Sequence, residues 1–411
     1  MKLREREESY KRQYAGNKLK RDESTYHFSS GKKEQKFINS QFKTPAEIAD
    51  YKKYRSEWHR RAEEFEPGAF PLAVICELVS FCNLKCGMCY TITPEFQATV
   101  VGAQRIMPWD MAVDIIDECA DLGVYSMLFS WRGESTLYRS KGSDGKLHDF
   151  ADVLAYARNK GILEVTSLTN GRDLTDRLIE KIVRAQPNWI SFSIDGMGED
   201  YGKIRKSKKS EGREMPFDKV VNNIKKMVSL RDKLKFSKPQ IRTNTIYPPI
   251  SGNADKYRTF MEKIGVGLVT VNEILDFRGT ELPEEAILKD WYCQYPFQRL
   301  VVSANGTILP CPGSHNEEED LMLGRYIGAP EKKITVNGKS KKIKSPEMTL
   351  KQAWESKKMK KIRELHRKNK RAEIRSCKHC RHGAQKYGVT WVPPDWDMKK
   401  MEWHGRAWRN G

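Results

Sequence analysis

Nowhere in the 411 residues do apolar side chains run uninterrupted for the roughly 18 positions that a membrane-spanning helix needs. Met1 to Lys20 is charged throughout and lacks the apolar centre of a secretion signal, so the expectation is a cytoplasmic protein with no membrane partner. Acidic residues are scarce beside basic ones: 54 Asp and Glu stand against 74 Lys and Arg, a formal charge of +20. The imbalance is local. Met1 to Glu66 holds 17 basic and 12 acidic residues and Glu331 to Arg371 holds 16 and 4, which leaves the rest of the chain nearly neutral. Such runs are most often solvated faces; their functional reading is attraction to phosphate, nucleic acid or an acidic partner. A disulfide framework is also missing. Seven of the nine cysteines fall into two groups with metal-ligand spacing, which suits a reducing compartment. The other two, Cys76 and Cys119, read as structural.

Cys82, Cys86 and Cys89 follow the apolar run Leu72 to Val79 with the spacing C-x3-C-x2-C. Three thiolates hold three irons of a [4Fe-4S] cube and leave the fourth iron open to a small chelating molecule. Gly87 removes a side chain where so short a loop must pack closely. A zinc site with a further ligand nearby, or three unrelated cysteines, are the alternatives. Further on, Cys293, Cys311, Cys377 and Cys380 form a C-x17-C and a C-x2-C pair. A hairpin from Leu300 to Pro310, turned at Asn305-Gly306, would bring the first two together. Four thiolates fully ligate a second [4Fe-4S] cluster, and the same spacing permits a zinc ribbon.

Between these groups the chain alternates β and α. Met1 to Thr44 is polar and aperiodic, and reads as a loosely docked arm; Pro45 to Glu66 reads as a helix capped by Thr44 and ended by Pro67-Gly68. Strands are expected at Leu72 to Val79, Tyr125 to Trp131, Leu163 to Leu168, Trp189 to Ile194, Gln240 to Tyr247 and Gly267 to Ile274. Amphipathic helices fall between them, for example Trp109, Ala112, Ile116 and Cys119 on one face. Six strands with crossover helices make a parallel α/β sheet or barrel, whose working loops lie at the carboxyl ends of the strands.

The first cysteine motif and its strand resemble the radical S-adenosylmethionine superfamily over about Leu72 to Asp276. The resemblance implies a partial (β/α)6 TIM-like barrel within residues 67–282, preceded by a basic arm and helix at 1–66. It also implies S-adenosylmethionine on the open iron, cleaved to a 5′-deoxyadenosyl radical with an external low-potential electron donor. Many members carry an aromatic residue just before the last cysteine; here Met88 stands there and Tyr90 follows one position after. Arg132-Gly133-Glu134 is similar to the family's Gly-Gly-Glu motif, which implies that Gly133 and Glu134 meet the methionine ammonium, with Arg132 in place of the first glycine. Asn170, Ser193 and Asp195, at the ends of the third and fourth strands, are implied as ribose and carboxylate contacts, though Asn-Gly and Asp-Gly are also ordinary turns. Arg242 and Asn244 share a face of the fifth strand; if that face looks inward, Arg242 pairs with the methionine carboxylate.

The second cysteine group, with Gly306-x4-Cys311, Leu323-Gly324 and Thr349 to Trp354, resembles a SPASM or twitch module at 283–385 holding one auxiliary [4Fe-4S] cluster. Residues 331–371 read as a basic insertion in it, and 386–411 as a Trp-rich tail folded back over the body. The 17-residue gap is similar to that of the 2-deoxy-scyllo-inosamine dehydrogenase type. The implied activity is therefore oxidation of an alcohol in a small-molecule substrate, phosphorylated and nucleotide-linked ones included, with the auxiliary cluster as electron acceptor. Glu273, Asp276 and Arg278, after the sixth strand, are the weak candidates for proton transfer. A maturase of ribosomal peptides, a nucleic-acid-modifying enzyme and a zinc-stapled binding protein are the competing expectations; nucleic acid is possible but not favoured as a partner.

Overall fold

The computed structural model describes residues 31–93, 96, 105–207, 216–272, 282, 284, 287, 293–329, 333–336, 339–342, 345–383, 396–397, 399–400 and 402–403. Helix α1 (Gly31–Gln41) and helix α2 (Pro45–Glu64) come first, and a capping box between Thr44 and Glu47 starts the second of them. Residues 31–44 are thus not the loose arm that their polarity predicts. Phe37, Ile38 and Phe42 are buried against Tyr51, Tyr54, Trp58 and Trp189.

Six parallel strands follow: β1 (Ala73–Cys76), β2 (Ser126–Leu128), β3 (Glu164–Thr169), β4 (Trp189–Ser193), β5 (Gln240–Ile246) and β6 (Leu268–Asn272). Each pairs with the next in chain order, the arrangement of a partial (β/α)6 barrel. The crossovers are α3 (Trp109–Leu122), α4 (Phe150–Asn159), α5 (Asp176–Ala185), α6 (Phe217–Lys233) and α7 (Ala254–Lys263). Their apolar stripes, such as Leu178, Ile179, Ile182 and Val183 of α5, pack on the outward side chains of the strands, such as Val165, Ile190 and Ile241. At about 25 cal/mol per Å2 of apolar surface, each fully buried Leu or Ile contributes roughly 1.5–3 kcal/mol. β2 is shorter than the expected Tyr125 to Trp131, because Trp131 and Arg132 turn away into contacts with the C-terminal module.

That module continues the same sheet. β7 (Arg299–Val302) lies parallel to β1, with Ala73 opposite Arg299 and Cys76 opposite Val302. β8 (Thr307–Leu309) turns back at Gly306, whose φ of 82° suits glycine, and β9 (Gly324–Tyr326) and β10 (Glu347–Met348) complete ten strands. Helices α8 (Leu350–Glu355) and α9 (Lys357–Arg367) then pack Leu350, Trp354, Met359, Ile362 and Leu365 into the core. Residues 345–371 of the expected basic insertion are therefore structural: Lys357, Lys360 and Lys361 lie exposed on α9, while Arg363 stacks on Trp354 at 3.8 Å. Within the insertion, 333–336 and 339–342 pair as a short hairpin. Most of the Trp-rich tail lies outside the described residues.

Candidate active site and auxiliary cysteine site

The carboxyl end of β1 runs directly into the three-cysteine loop. Neighbouring loops hold it at several points. Lys85 N–H donates to the Lys206 carbonyl at 2.8 Å, Asn83 accepts from Asn170 at 2.8 Å and donates to Asp173 at 2.8 Å, and Arg172 donates to the Asn83 carbonyl at 3.0 Å. The sulfurs have donors of their own. Leu84 N–H approaches Cys82 Sγ at 3.4 Å and Asn170 Nδ2 approaches it at 3.7 Å, while Arg205 Nη1 lies 3.6 Å from Cys86 Sγ. Burial, opposed in part by Arg205, pushes the Cys86 thiol up to about 11, and burial raises Cys82 further. Thiols held this way would release their protons on binding cluster iron, and these N–H donors would stabilise the resulting thiolates. The donor set fits a three-thiolate [4Fe-4S] cluster.

Gly133 and Glu134 join this loop to the barrel. Gly133 has φ 67°, and a Cβ there would stand 2.6 Å from the carbonyl oxygens of both Val79 and Phe81, so the backbone approaches as only glycine allows. Glu134 N–H donates to the Phe81 carbonyl at 2.9 Å. The Glu134 carboxylate accepts from Thr136 N–H and hydroxyl, from the Thr169 hydroxyl at 2.6 Å and from Asn170 N–H at 2.7 Å. Four internal donors make it a brace between the ends of β2 and β3. Burial nonetheless holds its pKa above the ordinary carboxylate value.

Other expected contacts have different surroundings. Asp195 forms an ion pair with Arg205 at 2.5 Å and accepts from Ile246 N–H at 3.0 Å, so it orients the arginine beside Cys86 instead of standing open to a ligand. Arg242 does look into the barrel, but from its lower half. Its guanidinium lies 4.7 Å from the Trp189 ring and 5.1 Å from the Phe37 ring, where α1 closes the amino-terminal end, which removes it from the cysteine loop. Ser193 and Asn244 sit side by side one layer nearer the carboxyl end. Glu273, Asp276 and Arg278 lie outside the described residues.

From the sequence Arg132 is only the residue standing in place of a glycine. In the structure it is buried, with Nε and Nη2 on the Glu77 carboxylate at 2.7 and 2.6 Å, Nη2 also 2.9 Å from Glu317, and Nη1 on the His315 carbonyl. Glu77 follows β1 directly and also accepts from Ala304 N–H; Glu317 also accepts from Asn305 and Thr307. Burial opposes ionisation of Glu317, yet Arg132 and these donors bring it down to about 2. The triad clamps the barrel to the C-terminal module. Beside it, His315 Nδ1 and the Tyr90 hydroxyl are 3.0 Å apart, and Trp131 donates to the Pro312 carbonyl at 3.1 Å. Tyr90, next to Cys89, thereby meets the C-terminal module at His315, which burial keeps neutral. No local motif marks these partners, which are more than 180 positions apart in sequence.

Cys293, Cys311, Cys377 and Cys380 line one cavity with Tyr295 and His366. A Cβ on Gly313 would lie 3.6 Å from Cys311 Sγ and 3.7 Å from Cys380 Sγ, so the bare glycine faces both sulfurs. Four thiols around one cavity supply a thiolate for every iron of an iron–sulfur cube. His379 Nδ1 accepts from Leu282 N–H at 3.0 Å.

Two family models match the chain. Residues 76–236 match the radical SAM superfamily, and residues 293–381 match SPASM, an iron–sulfur cluster-binding domain. No curated protein matches. Among solved structures, BtrN in complex with AdoMet and 2-DOIA is 12% identical with a TM-score of 0.42, over 79% of this chain and 98% of that one. SuiB of Streptococcus suis bound to S-adenosylmethionine is 15% identical with a TM-score of 0.49, over 83% and 77%. The anSMEcpe structure with bound AdoMet is 15% identical with a TM-score of 0.49, over 76% and 89%. The chain carries a radical SAM domain over residues 76–236 and, after it, a SPASM iron–sulfur cluster-binding domain over residues 293–381.

Proposed function

We propose that this radical S-adenosylmethionine enzyme oxidises an alcohol carbon of a small polar substrate, of the sugar, cyclitol or nucleotide-sugar class, to a carbonyl, with the four-cysteine site as acceptor of one electron. The observation that carries this reading is the shared cavity of Cys293, Cys311, Cys377 and Cys380. A cube held by all four has a thiolate on every iron and no open position for substrate, which suits electron transfer. Cys82, Cys86 and Cys89 are the ligands of the cluster that presents S-adenosylmethionine, and the bound pair supplies hydrogen abstraction from an unactivated C–H bond.

The chain's own residues position that chemistry. Asn170 and Arg205 steady the thiolates of Cys82 and Cys86, and Glu134 fixes the loops around them. Ser193 and Asn244, adjacent in the upper interior, are our candidates for polar contacts to the cofactor, with Gly133 supplying close backbone approach. Neutral His315 is in the proton-accepting form where the two cysteine sites meet. Loss of a hydrogen atom from the carbinol carbon and of a proton from its hydroxyl leaves one electron to be taken up. The four-cysteine site is the acceptor supplied by this chain.

The test is to incubate reduced enzyme and S-adenosylmethionine with carbinol-deuterated polyols, cyclitols and nucleotide sugars, following deuterium into 5′-deoxyadenosine and ketone formation. Cys311→Ala is expected to cleave S-adenosylmethionine still but to form no ketone. Ketone at the wild-type rate from that variant would sink the electron-acceptor role, and deuterium transfer only from peptides would replace the substrate class.

A further inference from the structure

Arg371 is the one Lys or Arg side chain among the residues that line the four-cysteine cavity. It is 3% exposed and lies in the turn between α9 and Cys377. Its Nη1 donates to the Cys377 carbonyl, which pins the guanidinium beside the ligand loop. Burial disfavours its charge, and Cys380, Cys377 and Cys293 act in the opposite direction, so three of the four ligands lie within its field. His366 of α9 and His382 also line the cavity, and Arg371 is the one guanidinium among its described lining residues.

A four-thiolate cluster gains one negative charge on reduction, and charges, hydrogen bonds and solvent access around the sulfurs set its potential. A buried cation favours the more negative state, and it acts strongly because little water screens it. We propose that Arg371 raises the reduction potential of the auxiliary cluster and so makes that cluster the electron acceptor of the pair. This rests on the reading above, in which the four-cysteine site takes up an electron. Arg371 is a positioning residue, acting on the cluster through its charge.

The experiment is an anaerobic redox titration of reconstituted enzyme without substrate, following the electron paramagnetic resonance signal of each cluster in wild type, Arg371→Gln and Arg371→Lys. The glutamine variant should disfavour reduction of the auxiliary cluster at least tenfold, 59 mV lower for one electron, with the three-cysteine cluster unchanged. The lysine variant should stay close to wild type. An unshifted auxiliary potential in the glutamine variant overturns the proposal. Loss of the auxiliary irons there, with the lysine variant loaded, overturns it too by making the residue a ligand-loop brace. The potential is independent of turnover. A shifted potential combined with full ketone formation by Cys311→Ala would uphold the charge effect and refute the acceptor role; the reverse pair of results would do the opposite.

Discussion

Replacing Arg132 with methionine should loosen the junction of the two cysteine sites, and the structure sets the size of the effect. The side chains of Glu77 and Glu317 are 1% and 3% exposed, and each loses its cation in the variant. Leaving buried charges uncompensated costs about 3–5 kcal/mol, a shift of roughly a hundredfold to a few thousandfold in the unfolding equilibrium. The depression of Glu317 from an ordinary 4.5 to about 2 is independently worth about 3 kcal/mol. The pH dependence has a definite sign. In the wild type this contribution is present above the unfolded carboxylate pKa and is lost as pH falls through the folded value near 2. In the variant Glu317 keeps its Asn305 and Thr307 donors but loses its cation, burial then pushes its folded pKa up past the unfolded one, and protonation stabilises the fold as pH falls. The gap between the proteins should therefore narrow from pH 7.5 to 5.5. Anaerobic urea denaturation of the cluster-loaded enzymes, read by tryptophan fluorescence, measures it. A cost below about 1 kcal/mol, as for a surface pair, or a gap that widens on acidification, would refute the reasoning.

Gly133→Ala should lose the three-cysteine cluster, because a side chain at φ 67° costs about 1–2 kcal/mol and its Cβ collides with the carbonyls just ahead of Cys82. Iron analysis should then find about four irons in place of about eight, and a full complement would count against the packing argument. Cys86→Ala should abolish formation of 5′-deoxyadenosine, measured by chromatography after anaerobic reduction; residual cleavage near the wild-type rate would remove this loop from the cofactor site. Arg242→Leu should lower the thermal midpoint through loss of its stacking on Trp189 and Phe37, yet leave the S-adenosylmethionine dissociation constant within about twofold. Tenfold weaker binding would return Arg242 to the cofactor.

The features legible in the sequence were those with a local signature. Cysteine spacing marked both metal-ligand groups, helical and strand periods marked the six βα units, and Asn305-Gly306 marked the hairpin before Cys311. Alternation puts Arg242 and Asn244 on one face of their strand, but alternation carries no information about which way that face looks or about height. Only the fold of α1 over Trp189 shows that two residues along a strand separate a basal contact from an upper one. Composition also misled at 31–44, where three apolar residues suffice to dock a polar helix, and at 331–371, where lysines on the outer face of α9 hide Met359, Ile362 and Leu365 on the inner one. The clamp was invisible because Glu77 and Glu317 lie 55 and 185 positions from Arg132, beyond any motif.

The pairing of β7 with β1 has a practical consequence for dissecting the enzyme. The strand that delivers Cys82 is an interior strand only while residues 299–302 occupy its outer edge. A fragment ending after the barrel would present Ala73 to Cys76 as an unprotected apolar edge, the template from which intermolecular strand addition starts. Such a fragment should precipitate or self-associate instead of yielding a minimal radical generator, and grafting the SPASM module elsewhere would require a host strand with the same register.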